Sequence, residues 1–297
     1  MVRHAMRQGP VLSAMGRTAF LAFSQQWRQG AGNGGEPRDY TAVLPPRDPT
    51  LVRDYIRLVG GDPAGYSGVL PPHFFPQWGF PLIARTLDTV PYPLSRILNG
   101  GCRLEINRPL PAREPLHLVA RLQGIDDNGR RAVLHQRLVT GTPSARGAVV
   151  ASVYGVVPLK KSAEGADKSK ERPQVPVHAQ EIGYWRLKAR AGFDFACVTG
   201  DFNPIHWIPL AARASGFKST ILHGFATLAR AIEGMNRALW SGDAGRLAVI
   251  DVRFTKPLVL PAKVGLYVHD DGVFVGDAPG GPAYLAGTFQ TRQGEAQ

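Results

Sequence analysis

Cysteine is scarce in this chain, which has only Cys102 and Cys197 among its 297 residues. Two cysteines so far apart argue against a disulfide framework and favour a reducing compartment, so we expect a cytoplasmic protein. Zinc requires more ligands at closer spacing than the chain offers, and we expect no metal. Cys197 stands in an apolar run and is assigned to the core.

Long apolar runs are also missing. No uninterrupted run reaches the roughly 18 residues expected of a membrane span, so none is predicted. An apolar content of 44% nevertheless suits a globular protein with a substantial core. The length fits one large domain or two of ordinary size.

Acidic residues are outnumbered, with 23 Asp and Glu against 35 Lys and Arg and a formal net charge of +12. Such a charge is typical of proteins that meet nucleic acid, an anionic surface or an anionic ligand. The basic residues are scattered and form no recognised nucleic-acid motif, so we expect no nucleic-acid partner. An Arg-rich surface without a partner explains the charge equally well.

Two stretches stand apart from the rest in composition. Residues 1–38 are basic, have no acid before Glu36, and could be a presequence, a short docked helix or a frayed terminus. Residues 160–175 carry many charges and almost no apolar side chains, as in a linker. The predicted units are therefore residues 39–159 and 176–297.

The two predicted units share an internal repeat. Short segments recur in the same order, as shown by Gly61-Asp62 and Gly200-Asp201, Trp78-Gly79-Phe80 and His223-Gly224-Phe225, and Arg108-Pro109-Leu110 and Lys256-Pro257-Leu258. In each unit a helical stretch precedes segments of period-two alternation, such as Cys102 to Ile106, Leu116 to Leu122 and Ile250 to Phe254. This order predicts an α+β fold in which each antiparallel sheet wraps a central helix.

The segment from Thr199 to Ala229 carries the candidate chemistry. Asp201 and His206 lie five residues apart across a turn favoured by Asn203-Pro204. A carboxylate and an imidazole that share one water can act as a general acid–base pair. Gly224 opens an apolar segment, Phe225 to Ile232, that predicts a buried helix, and a free N–H at its start could stabilise a developing negative charge.

These residues form a dense local pattern made of Gly200-Asp201-x-Asn203-Pro204-Ile205-His206, Ala211-x-x-Ala214-x-Gly216-Phe217 and Ile221-x-His223-Gly224. The pattern resembles the MaoC-like, or (R)-specific enoyl-CoA hydratase (hydratase 2), family of hot-dog proteins. Ile208 departs from it, because the family usually has an acid before that proline. The resemblance implies a double hot-dog fold with two central helices, each wrapped by an antiparallel sheet.

The resemblance also implies a reaction. A trans-2-enoyl thioester of coenzyme A or an acyl carrier protein would place its carbonyl oxygen near the Gly224 N–H. Asp201 and His206 would hold a water against C3, and Asn203 would orient the pair or the bound hydroxyl. Lys218 and Arg213 are candidate contacts for the carrier phosphate, or ordinary exposed charges. No redox cofactor or metal is required.

The first unit lacks the pair, because Asp62 is followed by Pro63-Ala64-Gly65-Tyr66-Ser67, with no histidine in the position that corresponds to His206. We interpret it as a degenerate copy that makes the chain an internal pseudo-dimer, and association of two chains into a homodimer is left open. Its aromatic residues could shape an acyl pocket or belong to the core, namely Phe74, Phe75, Trp78 and Phe80.

Two other functions remain open. A hot-dog thioesterase would need a carboxylate near the central helix, and Phe225 to Arg230 offers none. A non-catalytic accessory subunit would bind the acyl thioester without turnover. Taken singly, Asp201 could cap a turn, His206 could be solvated and His223 could begin a helix.

Overall fold

A computed structural model describes residues 1–5, 38–88, 90–93, 97–159 and 173–292. Most of the predicted N-terminal extension, residues 1–38, lies outside the described residues. The same holds for most of the predicted linker, residues 160–175. The proposed domain boundaries therefore stay predictions.

The described residues contain six α-helices and twelve strands. The helices are α1 (Val2–Ala5), α2 (Pro49–Leu58), α3 (Pro76–Arg85), α4 (Ala191–Thr199), α5 (Pro209–Ala214) and α6 (Gly224–Leu239). The strands of the first unit are β1 (Tyr40–Leu44), β2 (Val69–Leu70), β3 (Leu98–Ile106), β4 (Leu110–Pro111), β5 (Leu116–Asp127), β6 (Arg131–Gly141) and β7 (Val149–Pro158). Those of the second unit are β8 (Gln180–Leu187), β9 (Leu247–Phe254), β10 (Ala262–His269), β11 (Gly272–Gly276) and β12 (Ala283–Thr291).

Ten of the strands form one continuous sheet in the order β1-β5-β6-β7-β3-β9-β12-β11-β10-β8. The first five positions belong to the first unit and the last five to the second, in mirrored order. The units join through antiparallel pairing of β3 with β9, in which Cys102 lies opposite Val252 and Leu104 opposite Ile250. The continuous sheet thus consists of two five-stranded halves, which are hydrogen-bonded to each other along β3 and β9.

Strand alternation places one face of this sheet against the core. In β3, Cys102, Leu104 and Ile106 are buried while Arg103 and Glu105 are partly exposed. The alternation predicted for this segment is therefore confirmed. Such a half-covered sheet is stabilised by burying its apolar face against helices.

The central helices α3 and α6 supply that cover. Helix α6 is buried on nearly all sides from Phe225 to Asn236, with Arg230 as the exception, and only its last turn is exposed. The two units meet where the Phe75 ring lies edge-on to Phe225, at 5.3 Å between centroids. Each sheet wraps its own helix, which confirms the α+β double hot-dog fold.

Helix α1 packs against α4 of the second unit and contacts Asp54 of α2 through two side chains. Its His4 is buried and its Nε2 lies 2.7 Å from Asp54 Oδ2, while Arg3 Nη2 lies 2.6 Å from the same oxygen. Within the described residues no helix is both long and apolar enough to cross a membrane.

Candidate active site

The loop that carries Asp201 begins at the carboxyl end of α4. Gly200 has φ 85° and its N–H donates to Ala196 O at 2.8 Å, which ends the helix. Glycine adopts this left-handed conformation without the steric cost that a Cβ would bring. The chain therefore turns sharply, and Asp201 follows immediately.

Two hydrogen bonds between a side chain and the backbone two residues further on shape the loop itself. Asp201 Oδ1 accepts from the Asn203 N–H at 3.3 Å, and Asn203 Oδ1 accepts from the Ile205 N–H at 3.3 Å. Asn203 thereby caps the 3₁₀ turn Pro204–His206. Among the described residues, no hydrogen bond joins the Asn203 side chain to Asp201 carboxylate oxygen or the His206 ring, so its orienting role stays a prediction.

The His206 ring is held in one tautomer. Its Nδ1–H donates to the Ile221 carbonyl at 2.8 Å, which leaves Nε2 with a free lone pair. Burial lowers the pKa of His206 against the opposing influence of the Asp201 charge and the Ile221 hydrogen bond. The imidazole is accordingly a neutral base at neutral pH.

His223 lies against this ring. The two imidazoles stack with their centroids 3.6 Å apart and an interplanar angle of 24°. His223 Nε2–H donates to the Asp201 carbonyl oxygen at 2.9 Å, and the same nitrogen is 3.7 Å from Asp201 Oδ2. Burial, with a smaller contribution from His206, lowers the pKa of His223 to about 3.

Asp201, His206 and His223 form the site cluster, in which one ligand-type atom from each residue lies within 4.8 Å of the others. A metal would need an unprotonated nitrogen from each histidine. The His223 nitrogen nearest Asp201 carries a proton, because a carbonyl oxygen accepts its hydrogen bond. Of the two His223 nitrogens, only Nδ1 is therefore unprotonated and could ligate a metal.

Gly224 is the first residue of α6, and His223 is its N-cap. Within the described residues no acceptor pairs with the Gly224 N–H, as expected for the first turn of a helix. A Cβ on Gly224 would meet the Phe254 ring at 2.7 Å. Only glycine fits here without displacing that ring.

Lys218 and Arg213 lie on the surface next to this segment, Arg213 in α5 and Lys218 in the turn that follows it. Both side chains are exposed, and neither has an ion-pair partner among the described residues. Such unpaired cations are open to an anion, and their contact with a carrier phosphate stays a prediction.

The segment of the first unit that corresponds to the Asp201 loop begins at Asp62 and has no histidine. Asp62 Oδ1 accepts from the Ala64 N–H at 2.9 Å and caps the turn Pro63–Tyr66, and the residue five positions after Asp62, where His206 stands after Asp201, is Ser67. Trp78 stands where the repeat has His223, and its Nε1–H donates to Thr140 at 3.2 Å. The degeneracy of the first unit stays a prediction.

The aromatic residues of the first unit divide between two environments. Phe74, Phe75 and Trp78 are fully buried core residues. Phe80 is partly exposed and packs against Phe225, next to Gly224, at 5.4 Å between ring centroids. Of the four, Phe80 is therefore the best placed to contact a ligand near α6.

Sequence reasoning assigned His223 only to the start of a helix, which is correct but incomplete. Its ring completes the cluster, and the signal was present in its position immediately before Gly224. Its stacking on His206, which is 17 positions earlier in the chain, depends on how the loop folds back.

The fold is that of a double hot-dog protein, and its second unit holds the cluster of Asp201, His206 and His223. Residues 167–278 match the sequence model of the MaoC like domain. This part of the chain is a MaoC-like domain, as the resemblance predicted.

Curated relatives agree with this assignment. The chain is 29% identical over 185 residues to the enoyl-CoA hydratase ChsH3 of Mycobacterium tuberculosis, covering 57% of this chain and 61% of the relative. It is 37% identical over 109 residues to the 3-hydroxyacyl-thioester dehydratase X of the same organism, covering 37% and 36% respectively. The chain thus spans less than two thirds of the length of these relatives.

A solved structure shares the fold. The crystal structure of HtdX from Mycobacterium tuberculosis aligns with a TM-score of 0.69 at 23% identity, covering 84% of this chain and 98% of that one. At that identity the likeness concerns the fold alone.

Proposed function

We propose that the chain interconverts trans-2-enoyl and (R)-3-hydroxyacyl thioesters by adding or removing water. The observation that carries this proposal is the neutral His206 ring beside the Asp201 carboxylate, next to a helix start with an unpaired N–H. The relatives named as enoyl-CoA hydratase and 3-hydroxyacyl-thioester dehydratase support the same reaction class.

The hydration step follows from the tautomer of His206. Its Nε2 lone pair takes a proton from a water that the Asp201 carboxylate orients. The water oxygen bonds to C3, and the electrons of the C2–C3 double bond move toward the thioester oxygen. The proton that His206 has taken up is then delivered to C2, so that one water is added in total and the imidazole is neutral again. Dehydration is the same path reversed.

The negative charge that builds on the thioester oxygen needs a donor. We assign this role to the Gly224 N–H, since it begins α6 and has no acceptor among the described residues. One such donor contributes roughly 3 kcal/mol to the transition state. Proton transfer by the pair contributes about 10²–10⁴-fold.

The carrier is coenzyme A or an acyl carrier protein, since both present the thioester on phosphopantetheine. The exposed cations Lys218 and Arg213 would meet its phosphate. The first unit would supply part of the acyl environment through Phe80, which packs on Phe225.

Hydrolysis of the thioester is the competing reaction. The described carboxylate on the central helix α6 is Glu233, and it is buried with Oε1 3.0 Å from His73 Nε2 and Oε2 accepting from Asn236 at 3.2 Å. A carboxylate so engaged is not free to attack a thioester or to activate water. This observation favours hydration over hydrolysis.

The test is to incubate the protein with crotonyl-CoA and follow the enoyl absorbance and free thiol together. Hydration removes the enoyl absorbance while the thioester stays intact. Thiol release at the same rate would instead identify a thioesterase. Absence of both, over a panel of enoyl chain lengths on each carrier, would indicate a non-catalytic accessory protein.

A further inference from the structure

His223 contacts both members of the proposed catalytic pair through different parts of one ring. Its face stacks on His206, at 3.6 Å between centroids. Its edge donates a hydrogen bond from Nε2 to the backbone carbonyl of Asp201, at 2.9 Å. Movement of this ring would therefore displace the base and the carboxylate together.

The ring is itself held firmly. His223 is 2% exposed, forms the N-cap position of α6 and packs against Phe195 at 5.0 Å between ring centroids. Its Nδ1 is buried and has no hydrogen-bond partner among the described residues. A buried polar atom left unpaired costs free energy, which suggests that the ring is retained for a reason other than stability.

The first unit has a different residue at the position that corresponds to His223 in the internal repeat. There the repeat has Trp78, which is buried and donates to a side chain of its own sheet, Thr140. The position five residues after Asp62, where His206 stands after Asp201, holds Ser67. The stacked imidazole and the site histidine are thus both missing from the same unit.

We propose that His223 is a positioning residue, which fixes the His206 ring by stacking and the Asp201 backbone by hydrogen bonding. The inference rests on the proposed hydration reaction for its effect on turnover, but the positioning itself is measurable without turnover. His223 makes no proton transfer of its own, because the proton on Nε2 is committed to the Asp201 carbonyl.

Stacking also keeps water from one face of the His206 ring. Burial is the main cause of the lowered pKa of His206, so removal of the neighbouring ring should let that pKa rise. The neutral His206 is the active base, so the acid limb of the turnover profile would move to higher pH.

Two substitutions separate the two contacts. His223→Gln keeps an N–H donor near the position of Nε2 and removes the ring, whereas His223→Phe keeps a ring and removes the donor. A matched control is His135→Gln, since His135 is a partly exposed histidine of β6 that pairs with Asp126.

The experiment combines NMR titration of the His206 ring with kcat and KM for crotonyl-CoA across pH. We expect His223→Gln to raise the His206 pKa measurably and to shift the acid limb upward with it. We expect His223→Phe to leave that pKa near its wild-type value and to lower kcat at least about tenfold with KM little changed. The His135→Gln control should match the wild type.

The proposal is overturned if both variants keep the wild-type His206 titration and kcat. It is also overturned if His223→Gln leaves the His206 titration unmoved and kcat falls in both variants only in proportion to thermal stability. A protein that hydrates no enoyl thioester but shows the titration shift in His223→Gln would refute the proposed function and uphold the positioning role.

Discussion

At the scale of single residues, the site depends on two histidines that differ in their hydrogen bonds. His206 donates from Nδ1 and keeps a free Nε2, whereas His223 donates from Nε2 to the Asp201 carbonyl. The same ring type thus supplies a base in one position and a fixed support in the other. The backbone carbonyl that accepts from each ring determines its tautomer, and the tautomer determines whether Nε2 is free to act as a base.

The fold holds both histidines in neutral form, and this makes stability depend on pH. Their pKa values are lowered in the folded state from the ordinary 6.5, to about 3 for His223. The unfolded chain therefore takes up protons that the folded chain does not, and stability falls as the pH drops below about 6.5. Each histidine contributes at most about 1.4 kcal/mol per pH unit to this slope.

We predict that His223→Phe reduces that slope, since it removes one titrating group. Denaturant unfolding at several pH values between about 4.5 and 6.5 measures it in both proteins. Other titrating groups are common to the two and cancel in the comparison. Equal slopes in wild type and variant would show that the fold does not hold His223 neutral.

The sequence predicted the proximity of Asp201 and His206 because the turn at Asn203-Pro204 depends only on neighbouring residues, and the preference of Asn-Pro for a turn is known. It could not predict the stack of His223 on His206. That contact requires the chain to pass through α5 and return, and no short-range pattern encodes the distance. Likewise, Asn203 proved to cap its own turn, a role common to any Asn before a 3₁₀ turn.

At the scale of elements, the start of α6 is the critical point. The apolar run predicted a helix from Phe225 to Ile232, and the observed helix is Gly224–Leu239. The run revealed only the buried core of the helix, because its last turns include exposed residues such as Arg237 and Leu239. Its beginning at Gly224 was predicted correctly.

We predict that Gly224→Ala lowers both stability and turnover. The added methyl would meet the Phe254 ring at 2.7 Å, so the ring or the helix start must shift. Overpacking of this kind costs typically about 1–3 kcal/mol. We expect turnover to fall at least about tenfold, because the donor at the helix start would be displaced.

The double variant Gly224→Ala with Phe254→Leu tests the steric cause. A smaller side chain on β9 leaves room for the methyl, so the double variant should be less impaired than the sum of the single effects. Thermal unfolding and crotonyl-CoA turnover report the two quantities separately. Strict additivity would mean that Phe254 does not set the position of the helix start.

At the scale of the whole molecule, two contacts make the units interdependent. The β3–β9 pairing continues one sheet through both units. Across the same boundary His73 of the first unit meets Glu233 of the second, buried at 3.0 Å. The internal repeat predicted two similar units, but this pair is 160 positions apart and nothing in the local sequence indicates it.

We predict that residues 176–297 alone do not form a stable monomer. Separation would expose the β9 edge and leave the Glu233 carboxylate without His73. An exposed inner edge favours pairing with another chain. Light scattering of the separately expressed unit should show dimers or aggregates, and co-expression with residues 39–159 should restore a defined complex. A monomeric C-terminal unit with full activity would contradict this view.

The central claim is that Asp201 and His206 act on the same water, and a double-mutant cycle tests it most directly. Crotonyl-CoA turnover is measured for wild type, Asp201→Asn, His206→Gln and the double variant, with circular dichroism to confirm folding. We predict a loss of at least about a hundredfold in each single variant, and a double variant little worse than the poorer single one. Losses that multiply in the double variant would contradict the account, because each residue would then act independently.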